Sequence, residues 1–373
     1  MKSLMGSWII ALLLSSPVFS TAADAPYNDH ALFPITVRDK YGAINRGGEV
    51  VIPPEYDEPI ALREGLARTR KGARVAYLDP SGKRVIEPQE RTAELFSQGL
   101  APARGADAKG ARRYGYIDRT GNWAIEPRFA DAKTFTANRA AVGVADEWGK
   151  IKYGYIDATG SLVIAPRFDR AFPFGRVARV EIDKRQRLID AAGNDVTPAE
   201  VDTFGPESGG MMLARKGKLL GYLNDEGQLA IEPKFTSAYD FREGMARFWE
   251  QGKFGFIDKT GKAVAPAQFD SASDFHEGMA YVRIDGKYGF IDKNGSTVIP
   301  MQFERVQPFS DSAAAAQRDK LWGFIDRKGQ WIIEPRYQWV REFRNGLAWV
   351  SEPKQRGGMY VDKRGAVVWR TPD

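Results

Sequence analysis

The sequence contains no cysteine and only two histidines, His30 and His276, among 373 residues. Disulfides therefore contribute nothing to stability, and zinc or other transition-metal sites lack their usual ligands. Catalytic pairs of the Ser-His or Cys-His type are equally short of candidates. We predict no cofactor, no metal site and no enzymatic activity.

Long apolar runs are also scarce. Residues 8–14 form a short apolar stretch that follows Lys2 and precedes the small residues 20–23. This order is typical of a secretory signal peptide, so we predict a signal peptide over residues 1–23 and an exported protein, periplasmic or extracellular. An uncleaved N-terminal anchor is the alternative. No later segment reaches the roughly 20 apolar residues of a membrane helix, so no transmembrane segment is expected after signal removal.

Charge of one sign is only mildly in excess. The net charge is +6 and 27% of the residues are charged. This balance weakly favours an acidic partner such as an anionic polysaccharide. An exported chain without a basic cluster is not expected to bind nucleic acid.

What the sequence does contain is a repeat. The motif aromatic-Gly-aromatic-Ile-Asp-x-x-Gly begins at residues 114, 153, 254, 288 and 322, and weaker copies bring the number of motifs to ten. Gly221, Gly255, Gly289 and Gly323 are each 34 residues apart, whereas Gly115 and Gly154 are 39 apart. Such a period is the signature of a tandem repeat fold.

The chemistry of the repeat predicts strands and tight turns. Asp and Gly three residues apart suit a hairpin turn, in which the carboxylate accepts a hydrogen bond from the backbone N–H two residues on. A second motif, Arg/His-Glu-Gly-Met-Ala, occurs at residues 242–246 and 276–280 and precedes an alternating strand. Each unit reads as a three-stranded meander whose third strand is followed by Pro, which removes a donor and ends the pairing.

These motifs resemble the WG-repeat family, also called KWG repeats, over roughly residues 37–369. The resemblance implies a β-repeat array, and it implies neither a single activity nor catalytic residues. The predicted organisation is a signal peptide (1–23), a lead-in (24–36) and an array (37–373). The predicted fold is all-β, with about ten meanders in an open, β-solenoid-like array. A closed β-propeller is the alternative, and the uneven spacing favours the open form because closure requires equal blades.

Two groups of residues are candidates for binding. A basic residue after the Pro precedes an aromatic one in four units, namely Arg128, Arg167, Lys234 and Arg336. Stacked units would align these cations into a ladder for an anionic partner, and an ordinary solvated face of scattered charges is the favoured alternative. Trp123 and Trp331 could stack on sugars or pack in the core. Trp148 lies in an insertion, where a site unique to this chain is expected.

The recurring acids have structural interpretations. Calcium loops need several oxygen ligands, but each turn offers one carboxylate, and Asn45 and Asn224 replace it. The sequence therefore favours a non-catalytic exported binding or scaffold module for an envelope protein or polysaccharide. The alternative is an envelope hydrolase that acts on glycans through carboxylates in the insertions.

Overall fold

The protein is entirely β-structured in the computed structural model, which describes residues 31–89, 93–355 and 357–372. The strands form ten antiparallel sheets that succeed one another along the chain. Within the described residues no helix is long and apolar enough to cross a membrane. The predicted signal peptide (1–23), most of the lead-in and His30 lie outside these residues.

The strands are numbered in chain order. The first five sheets contain β1 (Phe33–Val37), β2 (Lys40–Ile44), β3 (Val50–Tyr56); β4 (Ala61–Arg63), β5 (Leu66–Lys71), β6 (Arg74–Leu78), β7 (Arg84–Gln89); β8 (Ala101–Ala106), β9 (Arg112–Ile117), β10 (Trp123–Phe129); β11 (Asp131–Ala132), β12 (Ala140–Ala145), β13 (Ile151–Ile156), β14 (Leu162–Phe168); and β15 (Arg170–Phe174), β16 (Ala178–Ile182), β17 (Arg185–Ile189). The last five contain β18 (Thr203–Ser208), β19 (Met211–Lys216), β20 (Leu219–Asn224), β21 (Leu229–Phe235); β22 (Ser237–Ala238), β23 (Met245–Glu250), β24 (Lys253–Asp258), β25 (Ala263–Phe269); β26 (Ser271–Ala272), β27 (Met279–Ile284), β28 (Lys287–Asp292), β29 (Thr297–Phe303); β30 (Arg305–Val306), β31 (Ala314–Arg318), β32 (Leu321–Ile325), β33 (Trp331–Tyr337); and β34 (Trp339–Val340), β35 (Leu347–Ser351), β36 (Met359–Asp362), β37 (Val367–Arg370).

The seventh sheet shows the common plan. A short strand a (β22) pairs with b (β23), which pairs with c (β24) and then d (β25), all antiparallel. The predicted meander is therefore strands b, c and d, and eight of the ten described sheets contain strand a, seven of them together with the whole meander. The first and third sheets have no strand a, and the fifth has no strand d. Strand a has only two residues here, which is too short for the alternation that identifies a strand in a sequence.

Each sheet has two ends. Because neighbouring strands are antiparallel, the a–b and c–d turns lie at one end and the b–c turn at the other. We call these the motif end, which carries the Glu-Gly and Asp-x-x-Gly turns, and the hairpin end. A single residue, such as Asp270, joins strand d to strand a of the next sheet, so successive sheets must lie side by side.

The glycine between the two aromatic residues permits close approach of the third strand. A Cβ on Gly221 would lie 2.3 Å from the carbonyl oxygen of Ile231 in strand d. Strand d bulges there, since its register with strand c shifts between the pairs of Tyr222 and Leu220. The Pro of the motif, Pro233, lies within this bulge and strand d continues to Phe235. The prediction that Pro ends the strand was wrong, because a bulge tolerates a missing donor.

The core consists of separate apolar clusters between neighbouring sheets. Ten such clusters are present, and nine of them join sheets that are consecutive in the chain. The tenth packs Phe33, Ile35 and Ile44 of the first sheet against Leu347 and Tyr360 of the tenth. An open row of ten sheets has nine such interfaces, whereas a ring has ten. The fold is therefore a ten-bladed β-propeller.

One hydrogen bond illustrates the closure. The hydroxyl of the second motif tyrosine donates to a backbone carbonyl in the next blade, as from Tyr222 to Tyr239 at 2.7 Å. The same bond recurs in blades two to four. In the last blade, Tyr360 donates at 2.8 Å to Pro34, which is 326 residues earlier. The ring therefore closes with a hydrogen bond from the same tyrosine position, although its acceptor lies in strand b of the first blade, which has no strand a.

The prediction of an all-β repeat array is confirmed, and the propeller is the arrangement found rather than the open array. Uneven spacing does not prevent closure because the extra residues lie outside the packed faces. The longer unit between Gly115 and Gly154 has an extended b–c hairpin, whose turn spans residues 146–150. The corresponding turn of the seventh blade consists of Gln251 and Gly252 alone. Contacts between blades are unaffected by an insertion at that end.

The c–d turn glycines should be essential for blade stacking. At Gly82, with φ of +83°, a Cβ would lie 1.9 Å from the carbonyl oxygen of Val51 in the preceding blade. Gly82→Ala should cost about 3 kcal/mol of unfolding free energy by combining backbone strain with a steric clash. Gly110→Ala is the control, because Gly110 has φ of +81° and open space around it; it should cost about 1 kcal/mol. Equal urea midpoints for the two variants would contradict the stacking role.

Loss of the closing hydroxyl should open the seam locally. Tyr360→Phe leaves the Pro34 carbonyl without its donor, which should cost about 1–3 kcal/mol. Amide hydrogen exchange should accelerate in the first and tenth blades, whereas Tyr222→Phe should accelerate exchange in the sixth and seventh. Uniform exchange changes in both variants would argue against a seam between Tyr360 and Pro34.

Candidate functional site

The four basic residues of the predicted ladder contact the next blade. Arg128 donates to the carbonyl of the c–d turn residue Gly160 at 2.6 Å, and Arg336 donates to Gly365 at 3.0 Å. Arg167 makes the same bond to Gly193, and Lys234 makes a longer one to Gly261. Each cation also lies 5.0–5.2 Å from the ring centre of the aromatic residue that follows it. These side chains link blades, and recognition of an anionic partner by them stays a prediction.

Two of the three candidate tryptophans pack against neighbouring residues, Trp123 within its own blade and Trp331 against the preceding blade. A Cβ on Gly105 would lie 2.5 Å from the Trp123 ring, so the absence of a side chain at Gly105 makes room for this indole. Trp331 packs edge-on against Phe303 at 5.6 Å, with Arg318 5.0 Å from its ring centre. Both tryptophans are only half-buried, and the packing interpretation accounts for their positions.

The aspartates of the c–d turns hold the turns closed, as predicted. Asp118 accepts hydrogen bonds from the backbone N–H groups of Thr120 at 2.9 Å and Asn122 at 3.1 Å, and from the Thr120 hydroxyl at 2.6 Å. Asn224 makes equivalent backbone contacts in its turn. The hydroxyl and backbone donors hold the pKa of Asp118 below its usual value. One oxygen of the carboxylate is thereby saturated by the turn itself.

The glutamates of the Glu-Gly turns link adjacent blades at the motif end. Glu243 accepts from the backbone N–H groups of Glu277 at 2.7 Å and Gly278 at 2.8 Å in the next blade. Glu64 binds the third blade in the same way, and Glu277 accepts from Ser312. The backbone of Glu243 has φ of +48°. Sequence reasoning found this motif but assigned it no role, because its partners are 34 residues away.

The acids of the third strands are distributed over several blades. Glu87, Glu126, Glu232 and Glu334 lie in strands d of four different blades. Glu334 pairs with Arg318 at 2.7 Å on the surface. The insertion carboxylates are likewise engaged locally, since Asp107 and Asp146 each accept two backbone hydrogen bonds within their own hairpin turns.

The hairpin end presents the exposed tryptophans of the described residues. Trp148, at the tip of the fourth blade's b–c hairpin, is 84% exposed. Trp339 is 65% exposed at the start of β34, opposite Ser351, the last residue of β35. Trp249 is 41% exposed next to the b–c turn of the seventh blade. Sequence reasoning identified Trp148 through its insertion and missed the other two, because a strand that is apolar on both faces does not reveal which face is covered.

The turn carboxylates should make stability depend on acid. The pKa of Asp118 is lowered by folding, so its contribution is present above the unfolded pKa near 4 and is lost as the pH falls through the folded value. Asp118→Asn should keep the turn, as Asn224 does. It should lower the urea midpoint at pH 6 and leave the midpoint unchanged below pH 3. Glu147→Gln removes one charge outside a c–d turn and is the control. If Asp118→Asn lowered the urea midpoint equally at both pH values, this would contradict the assignment of the acid-dependent stability to the Asp118 carboxylate.

Comparison with known proteins supports the repeat assignment. The profile of a family described as WG-containing repeat matches residues 41–74, 114–148, 153–185, 221–253, 254–288, 288–322 and 322–352, which together make up more than half of the chain. No curated protein matches the sequence.

Several solved structures align at low similarity. Hsv2p of Kluyveromyces lactis aligns at 11% identity with a TM-score of 0.32, covering 66% of this chain and 97% of that one. The dihydro-heme d1 dehydrogenase NirN, solved in complex with DHE, aligns at 14% identity and a TM-score of 0.36, covering 80% and 71%. The extracellular domain of the putative one-component system BT4673 from B. thetaiotaomicron aligns at 9% identity and 0.26, covering 92% and 68%. None of these alignments is close enough to bear on function. The seven repeat matches, in phase with the blades, show that the chain belongs to the WG-repeat family.

Proposed function

We propose that this protein is a non-catalytic, exported binding module that recognises an anionic protein or polysaccharide of the cell envelope through its hairpin end. The observation that carries the proposal is the exposure of Trp148, Trp249 and Trp339 at that end, in the fourth, seventh and tenth blades. Tryptophan and arginine are enriched at the energetic centres of interfaces, and an exposed indole at a loop tip has no folding role.

The third and fourth blades offer the strongest candidate surface. Their b–c hairpins have turns of five residues, 107–111 and 146–150, against two in the seventh blade. Exposed cations accompany Trp148 on this pair of hairpins, namely Lys109, Arg112 and Lys150. An aromatic platform among cations suits a partner that combines negative charge with a flat or apolar group.

The recurring polar residues support binding over catalysis. Asp118 and Glu243 of the repeat bind backbone N–H groups, Glu334 pairs with Arg318, and Asp146 of the insertion closes its own turn. A glycan hydrolase needs two carboxyl groups about 5–10 Å apart across a cleft. The hydrolase alternative would need such a pair in the insertions, where Asp107 and Asp146 each accept hydrogen bonds from their own turns.

The binding surface can be tested with Trp148→Ala. Loss of a central tryptophan typically costs at least about 2 kcal/mol, so binding to a ligand found by a glycan array or by pull-down from envelope fractions should weaken at least tenfold. Leu162→Ala is the matched control, because Leu162 is 51% exposed on strand d of the same blade. Turnover of a glycan substrate panel by a protein that captures no partner would overturn the proposal, as would unchanged binding by Trp148→Ala.

A further inference from the structure

An arginine recurs at one position of strand b in three blades. Arg68, Arg179 and Arg247 each reach a backbone carbonyl 25 residues further along the chain, in the next blade. Arg68 donates to Ala93 and Arg247 to Ala272, both at 2.7 Å, and Arg179 donates to Phe204 at 3.5 Å. The three guanidinium groups therefore occupy equivalent places between blades.

Two of these arginines have a carboxylate partner. Arg68 pairs with Glu58 at 2.9 Å, and Arg247 pairs with Asp274 at 2.8 Å. Asp274 is 27 residues after Arg247, and the residue 27 positions after Arg179 is Pro206. The acid that neutralises the arginine of the seventh blade is thus replaced by proline at the matching place beside the fifth blade.

Arg179 is left with an unsatisfied buried donor. Its Nε is buried and has no hydrogen-bond partner among the described residues. The guanidinium stacks on Phe172 at 4.0 Å, and Arg170 lies 5.5 Å from the same ring. Burial, with a smaller contribution from Arg170, lowers the pKa of Arg179. An arginine nevertheless stays protonated, so this is a half-buried positive charge with no ion-pair partner among the described residues.

A cavity lies where the missing carboxylate would be. A volume of about 580 Å³ between the fifth and sixth blades is bordered by Arg179, and its apolar lining includes Phe172, Leu188, Pro206 and Met212. This is the size of a small-molecule site. It occurs beside the fifth blade, which has no strand d.

The other charged groups around this cavity have hydrogen-bond or ion-pair partners, although Glu207 keeps its negative charge. Arg176 pairs with Asp225 at 3.2 Å, and Glu207 accepts from the backbone N–H of Gly210. Arg283 also has a buried Nε without a partner, but it lies in the field of Asp270, whose pKa it helps to lower. Arg179 combines an unneutralised charge, an unpaired donor and a cavity.

We propose that this cavity binds a small organic acid with an apolar body, whose carboxylate takes the place that Asp274 occupies beside Arg247. The carboxylate would accept hydrogen bonds from the Arg179 guanidinium, and the apolar body would lie against Leu188 and Met212. A charge-assisted pair is shorter and stronger than a neutral hydrogen bond. The site is separate from the hairpin surface and does not depend on the function proposed for it.

The experiment compares hexanoate with hexanamide, which has nearly the same shape without the charge, by titration calorimetry and ligand-observed NMR. Wild-type protein should bind hexanoate at least about tenfold more tightly than hexanamide. Arg179→Gln should lose this preference. Pro206→Asp should also lose it, because an aspartate there restores the internal ion pair of the seventh blade while keeping Arg179.

Arg185→Gln, an exposed arginine of the same blade, is the charge-matched control and should bind as wild type does. Trp148→Ala should likewise retain hexanoate binding, which separates this site from the hairpin surface. Equal binding of hexanoate and hexanamide, undiminished binding by a folded Pro206→Asp variant, or no saturable binding up to about 20 mM would each overturn the proposal. Tighter binding of galacturonate than of hexanoate would overturn the apolar part of it.

Discussion

Every blade of this protein is apolar on both faces, and that constraint determines the architecture. In strand c of the fourth blade, Tyr155 and Ile156 point to opposite faces, and both are fully buried. A sheet with two apolar faces needs a neighbour on each side. A row of such sheets leaves two faces exposed to water at its ends, whereas a ring leaves none. The cluster of Phe33 and Tyr360 is the interface that removes both exposed faces at once.

The polar groups of the repeat serve the same stacking. The tyrosine hydroxyl, the Glu-Gly carboxylate and the cation after the Pro each bind backbone groups of an adjacent blade, as Tyr222, Glu243 and Arg128 do. Backbone groups at turns need partners, and the neighbouring blade supplies them. Contacts between adjacent blades therefore account for most of the residues that recur from unit to unit. Functional residues should be sought where units differ.

The units differ most in the third to fifth blades. The third and fourth carry the long hairpins and Trp148, and the fifth lacks a strand and borders the cavity at Arg179. Replacement of the counter-ion by Pro206 and enlargement of two hairpins leave the stacking contacts intact. A ring of similar blades can thus accommodate recognition features in a few blades without losing closure.

The sequence by itself determined the strand class, the number of units, the closing of turns by Asp118 and its equivalents, and the family. Those features depend on contacts between residues within about 20 positions of one another in the chain, and the local sequence pattern indicates such contacts. The seam between Pro34 and Tyr360, the role of Glu243 and the missing partner of Arg179 depend on contacts between blades. Tertiary structure alone decided them, because similar local motifs occur in blades with and without a carboxylate neighbour. It also decided the exposure of Trp339, because a strand with two apolar faces is covered only where a neighbouring blade lies.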